Sequence, residues 1–142
     1  MSTLWVRHAA SSAAVARRSV QSAFQRAGLS EDDSYDASLI TSELVANAVR
    51  HARALPSGHV AIEWLLDDTG YLISVTDGGS RQLSDISPRS ADVQDTSGRG
   101  LMIVAALSRS WGVADGAETT TVWVRGEYAT SDSRASELQS TG

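Results

Sequence analysis

Glu43 and Asn47 stand four residues apart in a stretch without proline or glycine, a spacing that sets both side chains side by side on one helix face. A carboxylate beside a neutral amide oxygen suits magnesium-phosphate chemistry. Mg²⁺ keeps most of its waters and takes one or two protein oxygens together with phosphate oxygens. Asn47 then supplies the metal ligand, and Glu43 stays free as a general base. Taken alone, the pair equally fits solvated positions of an amphipathic helix. Asparagine is nevertheless a poor mid-helix residue, and here it borders an apolar arc where a buried amide must find partners.

Asp77 follows the apolar run Tyr71 to Val75 and precedes Gly78 and Gly79, so its carboxylate emerges at a strand end beside backbone that a flat ring can approach. It can accept the amino hydrogens of adenine, or serve as a turn aspartate. Gly98-Arg99-Gly100-Leu101 opens a second apolar helical stretch. Two glycines there let bare amides and the positive end of the helix dipole face phosphate oxygens, with Arg99 adding a charge-assisted contact; the same pattern also serves as a hinge. Thr119 to Thr121 suit a strand because they are β-branched, and Thr121 is expected to make a polar contact to the base. His51 reads as a helix-end histidine near the C-terminal dipole, and Arg81 and Arg89 as solvated loop charges. Trp5, Trp64, Trp111 and Trp123 fall in or beside strands, where packing or a partner surface explains them better than stacking on a ligand.

The elements that must position these residues follow from periodicity. Leu4 to His8 alternate as a short edge strand, and a serine pair then precedes a helix whose stripe is Ala16, Val20, Ala23, Phe24 and Ala27, ended by Gly28. Ser30 followed by Asp33 opens a long helix reaching about Ala52, with Ile40, Leu44, Val45, Ala48 and Val49 on its apolar arc. Val60 to Leu66 and Tyr71 to Val75 alternate around an Asp67-Asp68-Thr69-Gly70 loop as an antiparallel hairpin. Residues 78–98 are rich in Ser, Asp and Arg and read as a mobile lid. A helix from Gly100 to Ser108 precedes two strands, Trp111 to Ala114 and Thr119 to Arg125, joined at Asp115-Gly116. The order predicts an α+β fold: a two-layer α/β sandwich, mostly antiparallel, with helices on one face. The domain is expected over 1–126, followed by a disordered polar tail over 127–142.

Bulk composition narrows the chemistry. The chain has 142 residues and no cysteine, which excludes disulfides and thiolate chemistry, and its three histidines are too scattered for a zinc cluster. A formal charge of −5 argues against direct nucleic-acid binding, and no apolar run approaches the length needed to cross a bilayer. The N-terminus lacks the order of a secretory signal, so the expected address is cytoplasmic.

Set in order, these pieces resemble the GHKL (Bergerat-fold) ATP-binding superfamily, specifically the small anti-sigma-factor serine kinases of the RsbW and SpoIIAB type. The stretch Leu39 to Ala52, LITSELVANAVRHA, is similar to that family's N-box; VTDGG, Val75 to Gly79, to its first glycine box; SGRGLMIV, Ser97 to Val104, to its second; and TTVW, Thr120 to Trp123, to its closing strand. The resemblance implies that Glu43 is the general base, Asn47 the magnesium ligand, Asp77 the adenine anchor, Gly79 a further cofactor-binding residue, Gly98 and Gly100 the phosphate-side turn, and Thr121 the threonine near adenine. It implies ATP and Mg²⁺ as cofactors and phosphorylation of a STAS-type anti-sigma-factor antagonist, with a sigma factor or homodimerisation as further partnerships. One departure stands out: the family's first glycine box continues with a glycine two positions beyond Gly79, where this chain has Ser80 and Arg81. The alternative expectation is a nucleotide-gated binding regulator that transfers no phosphate, and a third is a slow ATPase.

Overall fold

The computed structural model describes residues 1–79 and 96–128, with the backbone alone over 96–101. Its elements are β1 (Ser2–Arg7), α1 (Ser12–Arg26), α2 (Glu31–His51), β2 (His59–Leu66), β3 (Gly70–Asp77), α3 (Thr96–Leu107), β4 (Ser110–Asp115) and β5 (Thr120–Glu127). The strands form one sheet in the order β1-β2-β3-β5-β4, and every pairing is antiparallel.

Local chemistry sets the helix ends. Ser30 takes an extended conformation and its hydroxyl accepts the Asp33 N–H at 3.1 Å, the capping expected of it. Glu31, Asp32 and Asp33 crowd the first turn of α2, with Arg50 and His51 in its last, each sign matching the dipole end it faces. The serine pair before α1 behaves differently: Ser11 occupies the cap position in a helical conformation, and its side chain makes no capping bond. At the far end of α1 the Gly28 N–H bonds the Gln25 carbonyl and the Leu29 N–H the Phe24 carbonyl, the double back-bond of a Schellman motif.

Strand alternation sends one set of side chains to the helices. Val6, Val60, Ile62, Tyr71, Ile73, Val75, Val122 and Val124 are buried with Ala16, Val20 and Phe24 of α1 and Ile40, Leu44 and Val45 of α2. Phe24 meets Tyr71 edge-on at 5.4 Å between centroids, and burying such a ring contributes about 1.5–3 kcal/mol. The opposite sheet face carries no helix in the described residues, and Trp5 on it is 56% exposed. The two-layer sandwich with helices on one face is therefore the fold.

Two boundaries differ from the sequence reading. Helix α3 starts at Thr96, ahead of Gly100, so 96–98 are helical rather than part of a lid. The remainder of the expected lid, 80–95, lies outside the described residues, with Arg81 and Arg89 in it. Strand β5 runs through Glu127, and Tyr128 donates its N–H to the Thr69 carbonyl while its ring lies 6.4 Å from Tyr71, carrying the packed domain past 126. The rest of the expected tail lies outside the described residues. Among the described residues no helix is long and apolar enough to cross a membrane.

Candidate functional site

Helix α2 packs against β3 and α3, and its C-terminal end is tied to the end of β3 through the main chain. The Gly78 N–H donates to the Arg53 carbonyl at 2.7 Å and the Arg53 N–H to the Gly79 carbonyl at 3.1 Å. Only glycine permits this approach at 78, because a Cβ there would stand 2.0 Å from the Ala54 carbonyl oxygen. Gly79 follows with φ of +101°. The helix carrying Glu43 and Asn47 and the strand carrying Asp77 thus converge at one end of the sheet.

Asn47 is 4% exposed, and its Oδ1 is buried with no hydrogen-bond partner among the described residues. Leaving a buried amide oxygen unpaired costs about 1–3 kcal/mol, which leaves this atom open to a further partner. Glu43, one turn earlier, is half-buried. An oxygen-only donor of this kind fits a hard cation such as Mg²⁺. Among the described residues no group of three or more His, Asp or Glu stands together as a metal cluster, so such an ion would draw its other ligands from phosphate and water.

Asp77 continues the inward phase of Tyr71, Ile73 and Val75 and is also 4% exposed. Burial pushes its carboxyl up to about 6; the Gly79 N–H at 2.8 Å and the nearby His8 act against that rise, and Asp115 adds to it. His8 is held in place by a 2.7 Å bond between its Nε2 and the Ala52 carbonyl. The β3–β5 register sets Asp77 opposite Thr120, which is fully buried and donates its hydroxyl to Asp115 Oδ1 at 3.1 Å.

Thr121 lies on the other side of the sheet. It pairs with Thr76, and the two hydroxyls are 2.7 Å apart on the face away from the helices. The residue beside Asp77 is therefore Thr120 rather than the expected Thr121. Alternation carried the signal: Thr120 is in phase with the inward Val122 and Val124, and Thr121 with Trp123 and Arg125. His8 and Asp115, also missed, have no such signal, because distant segments bring them in.

Gly98, Arg99, Gly100 and Leu101 all lie in the first turns of α3. The helix begins at Thr96, so the amides of Thr96, Ser97 and Gly98 stand in its first turn, where an intrahelical acceptor is lacking. The side chains of Arg99 and Leu101 are outside the described residues. His51 is the last residue of α2, as expected, and Trp64 and Trp111 pack against the core while Trp5 and Trp123 lie on the opposite face. A hollow of about 590 Å³ lies beside this end of the sheet between Arg53, Gly79, Asp115 and Glu118. Neither Asp77 nor Asn47 lines it, so the buried pair, not that hollow, defines the candidate site.

A sequence profile of the histidine kinase-like ATPase domain matches residues 6–125, nearly the whole described fold. The chain belongs to the histidine kinase-like ATPase family. The fold of this ATPase domain is similar to a crystal structure of the RsbU and RsbW domains of Rv1364c from Mycobacterium tuberculosis, with a TM-score of 0.62 and 22% identity over 89% of this chain. The ATPase domain spans 32% of that longer chain, and at this identity the likeness is one of fold. No curated protein matches the sequence. Family membership makes nucleotide binding the coarse expectation for this domain.

Proposed function

We propose that the domain binds Mg·ATP between α2, the end of β3 and the start of α3, and transfers the terminal phosphoryl group to a serine or threonine of a STAS-type antagonist protein. The observation that carries this reading is the buried, unpartnered Oδ1 of Asn47 beside Glu43 on a helix tied to Asp77's strand. Magnesium, held there by Asn47, would supply neutralisation of phosphate charge. Asp77 accepts the amino hydrogens of adenine with Thr120 alongside, and the first amides of α3 with Arg99 face the phosphates. Glu43 takes the proton of the attacking hydroxyl as its oxygen bonds to the terminal phosphorus and the bond to the departing ADP oxygen breaks.

Incubation with terminally labelled ATP and candidate STAS-domain proteins tests the reading. Label on a partner serine or threonine, lost in Glu43→Ala while calorimetric nucleotide affinity is retained, is the expected result. A nucleotide-dependent complex without label supports the gated binding regulator instead, and phosphate release without any partner supports an ATPase. Absence of Mg·ATP binding in the native chain overturns all three.

A further inference from the structure

All seventeen acidic residues lie beyond residue 30, whereas four of the twelve arginines, Arg7, Arg17, Arg18 and Arg26, lie before it. Strand β1 and helix α1 therefore make a basic margin on a chain of formal charge −5. Arg17 is engaged, with its guanidinium over the Tyr35 ring at 5.5 Å. Arg18 and Arg26 are exposed on one stripe of α1 with Ser22 between them, and Arg26 donates to the Ser22 hydroxyl at 2.8 Å. Neither arginine meets a carboxylate among the described residues.

Beside this stripe lie two open hollows of about 520 and 330 Å³ that share Ala23, Arg26 and Trp64, so they form one trough between α1 and the β1–β2 margin of the sheet. Its floor is apolar, built from Leu4, Ala23 and Trp64. The small Ser2 is the ladder partner of Trp64, so no bulky neighbour on β1 covers the indole. The fully buried Phe24 meets that indole edge-on at 6.5 Å between centroids and fixes its orientation. The trough is distinct from the nucleotide side: Trp64 lies three residues, about 10 Å, along β2 from Ala61, the ladder partner of Thr76.

We propose that this trough docks an extended acidic segment of a protein partner, with an apolar side chain seated on Trp64 and Leu4 and carboxylates before and after it on Arg18 and Arg26. Spacing and charge both select this occupant. Eight helical residues set the backbone positions of Arg18 and Arg26 about 12 Å apart, with the Arg26 guanidinium turned back to Ser22 within that interval. In an extended chain residues i and i+4 are about 13 Å apart and share a face with i+2. A segment with acids at i and i+4 around an apolar residue at i+2 therefore matches two cations flanking an apolar floor. A nucleic acid is disfavoured because the rest of the chain is acidic and repels a long polyanion. The inference does not depend on the nucleotide reading.

The test is an NMR titration of the ¹⁵N-labelled full chain with a seven-residue peptide carrying two glutamates around a central leucine at that spacing. Expected are shifts at the Trp64 indole N–H and the Leu4 and Ala23 amides, weakened at least tenfold in R18E/R26E and by added salt, and retained in R18K/R26K. Both arginines are exposed, so a matching thermal melt confirms that the charge-reversed chain is folded. The proposal is overturned by no shift at millimolar peptide, by equal affinity in R18E/R26E, by shifts mapping elsewhere, or by a lysine analogue or an oligonucleotide binding the trough as tightly.

Discussion

Thr120 stands directly opposite Asp77 in the β3–β5 ladder, and its hydroxyl is held by Asp115 rather than by Asp77. Thr120 therefore orders the acidic corner without neutralising the Asp77 carboxyl, leaving that carboxyl for a ligand's hydrogens. Under the proposed function, Thr120→Val should weaken ATP binding about tenfold, the scale of one lost hydrogen bond in a buried site. Thr121→Val should leave affinity within about twofold and cost about 1 kcal/mol of stability through the lost Thr76 bond. Calorimetric titration of both variants decides between them, and a larger effect at 121 would place the base on the wrong face of the sheet.

The Asp77 carboxyl carries a pH signature. Its folded value of about 6 lies above the ordinary 3.8, so between these values the folded state binds more protons than the unfolded chain. The stabilisation from this group is present below the unfolded value and is lost as pH rises through about 6, about 3 kcal/mol in total. Asp67 acts oppositely: its hydrogen bonds from Arg125 and the Thr69 and Gly70 amides lower its carboxyl, so its stabilisation is lost as pH falls. Comparison with Asp77→Asn isolates the term. Urea unfolding should show the variant gaining about 2–3 kcal/mol on the native chain between about pH 4 and about pH 7. A constant difference across that range would mean that Asp77 is not buried as an acid.

Much of the candidate site's placement is legible in the sequence, because local rules generate it. Glu43 and Asn47 share a face by helical spacing, and the hairpin that delivers Asp77 follows from alternation around the Asp67 loop, where Asp67 Oδ1 accepts the Thr69 and Gly70 amides at 2.8 Å. A run of three threonines has no local contrast, and only its phase with Val122 and Val124 separates Thr120 from Thr121. The early start of α3 was hidden by a polar stretch without apolar periodicity. The sequence reading ends the strand at Arg125, yet Gly126 continues it because the Tyr71 ring fills the space its side chain would take, with a Cβ there only 2.3 Å from the ring. That reason is tertiary, and no window of sequence contains it.

The junction at Gly78 predicts a steep structural dependence. Any side chain at 78 drives the end of β3 away from the Ala54 carbonyl and breaks the Arg53 bridge. Gly78→Ala should therefore cost about 3 kcal/mol, beyond ordinary surface substitutions, and raise hydrogen exchange at Arg53 and Gly79. Gly58→Ala provides the contrast. Its Cβ meets nothing within 4 Å, so its cost is the φ of +85° alone, about 1 kcal/mol. Equal costs at the two positions would show that the α2–β3 tie is not the rigid joint described.

Asn47 should trade stability for function. Its Oδ1 is buried without a partner among the described residues, a debt of about 1–3 kcal/mol that leucine, branched at the same carbon though bulkier, does not incur. Asn47→Leu is therefore expected to leave the melting temperature unchanged or raise it by a few degrees, while Mg·ATP affinity falls by about a hundredfold. Most buried polar losses do the reverse and destabilise the chain, so the sign of the melting shift discriminates. A variant that melts well below the native chain would mean that Oδ1 serves packing rather than a ligand. One that melts as expected yet binds Mg·ATP normally would move the cation to another residue and leave the orphaned oxygen with a different occupant.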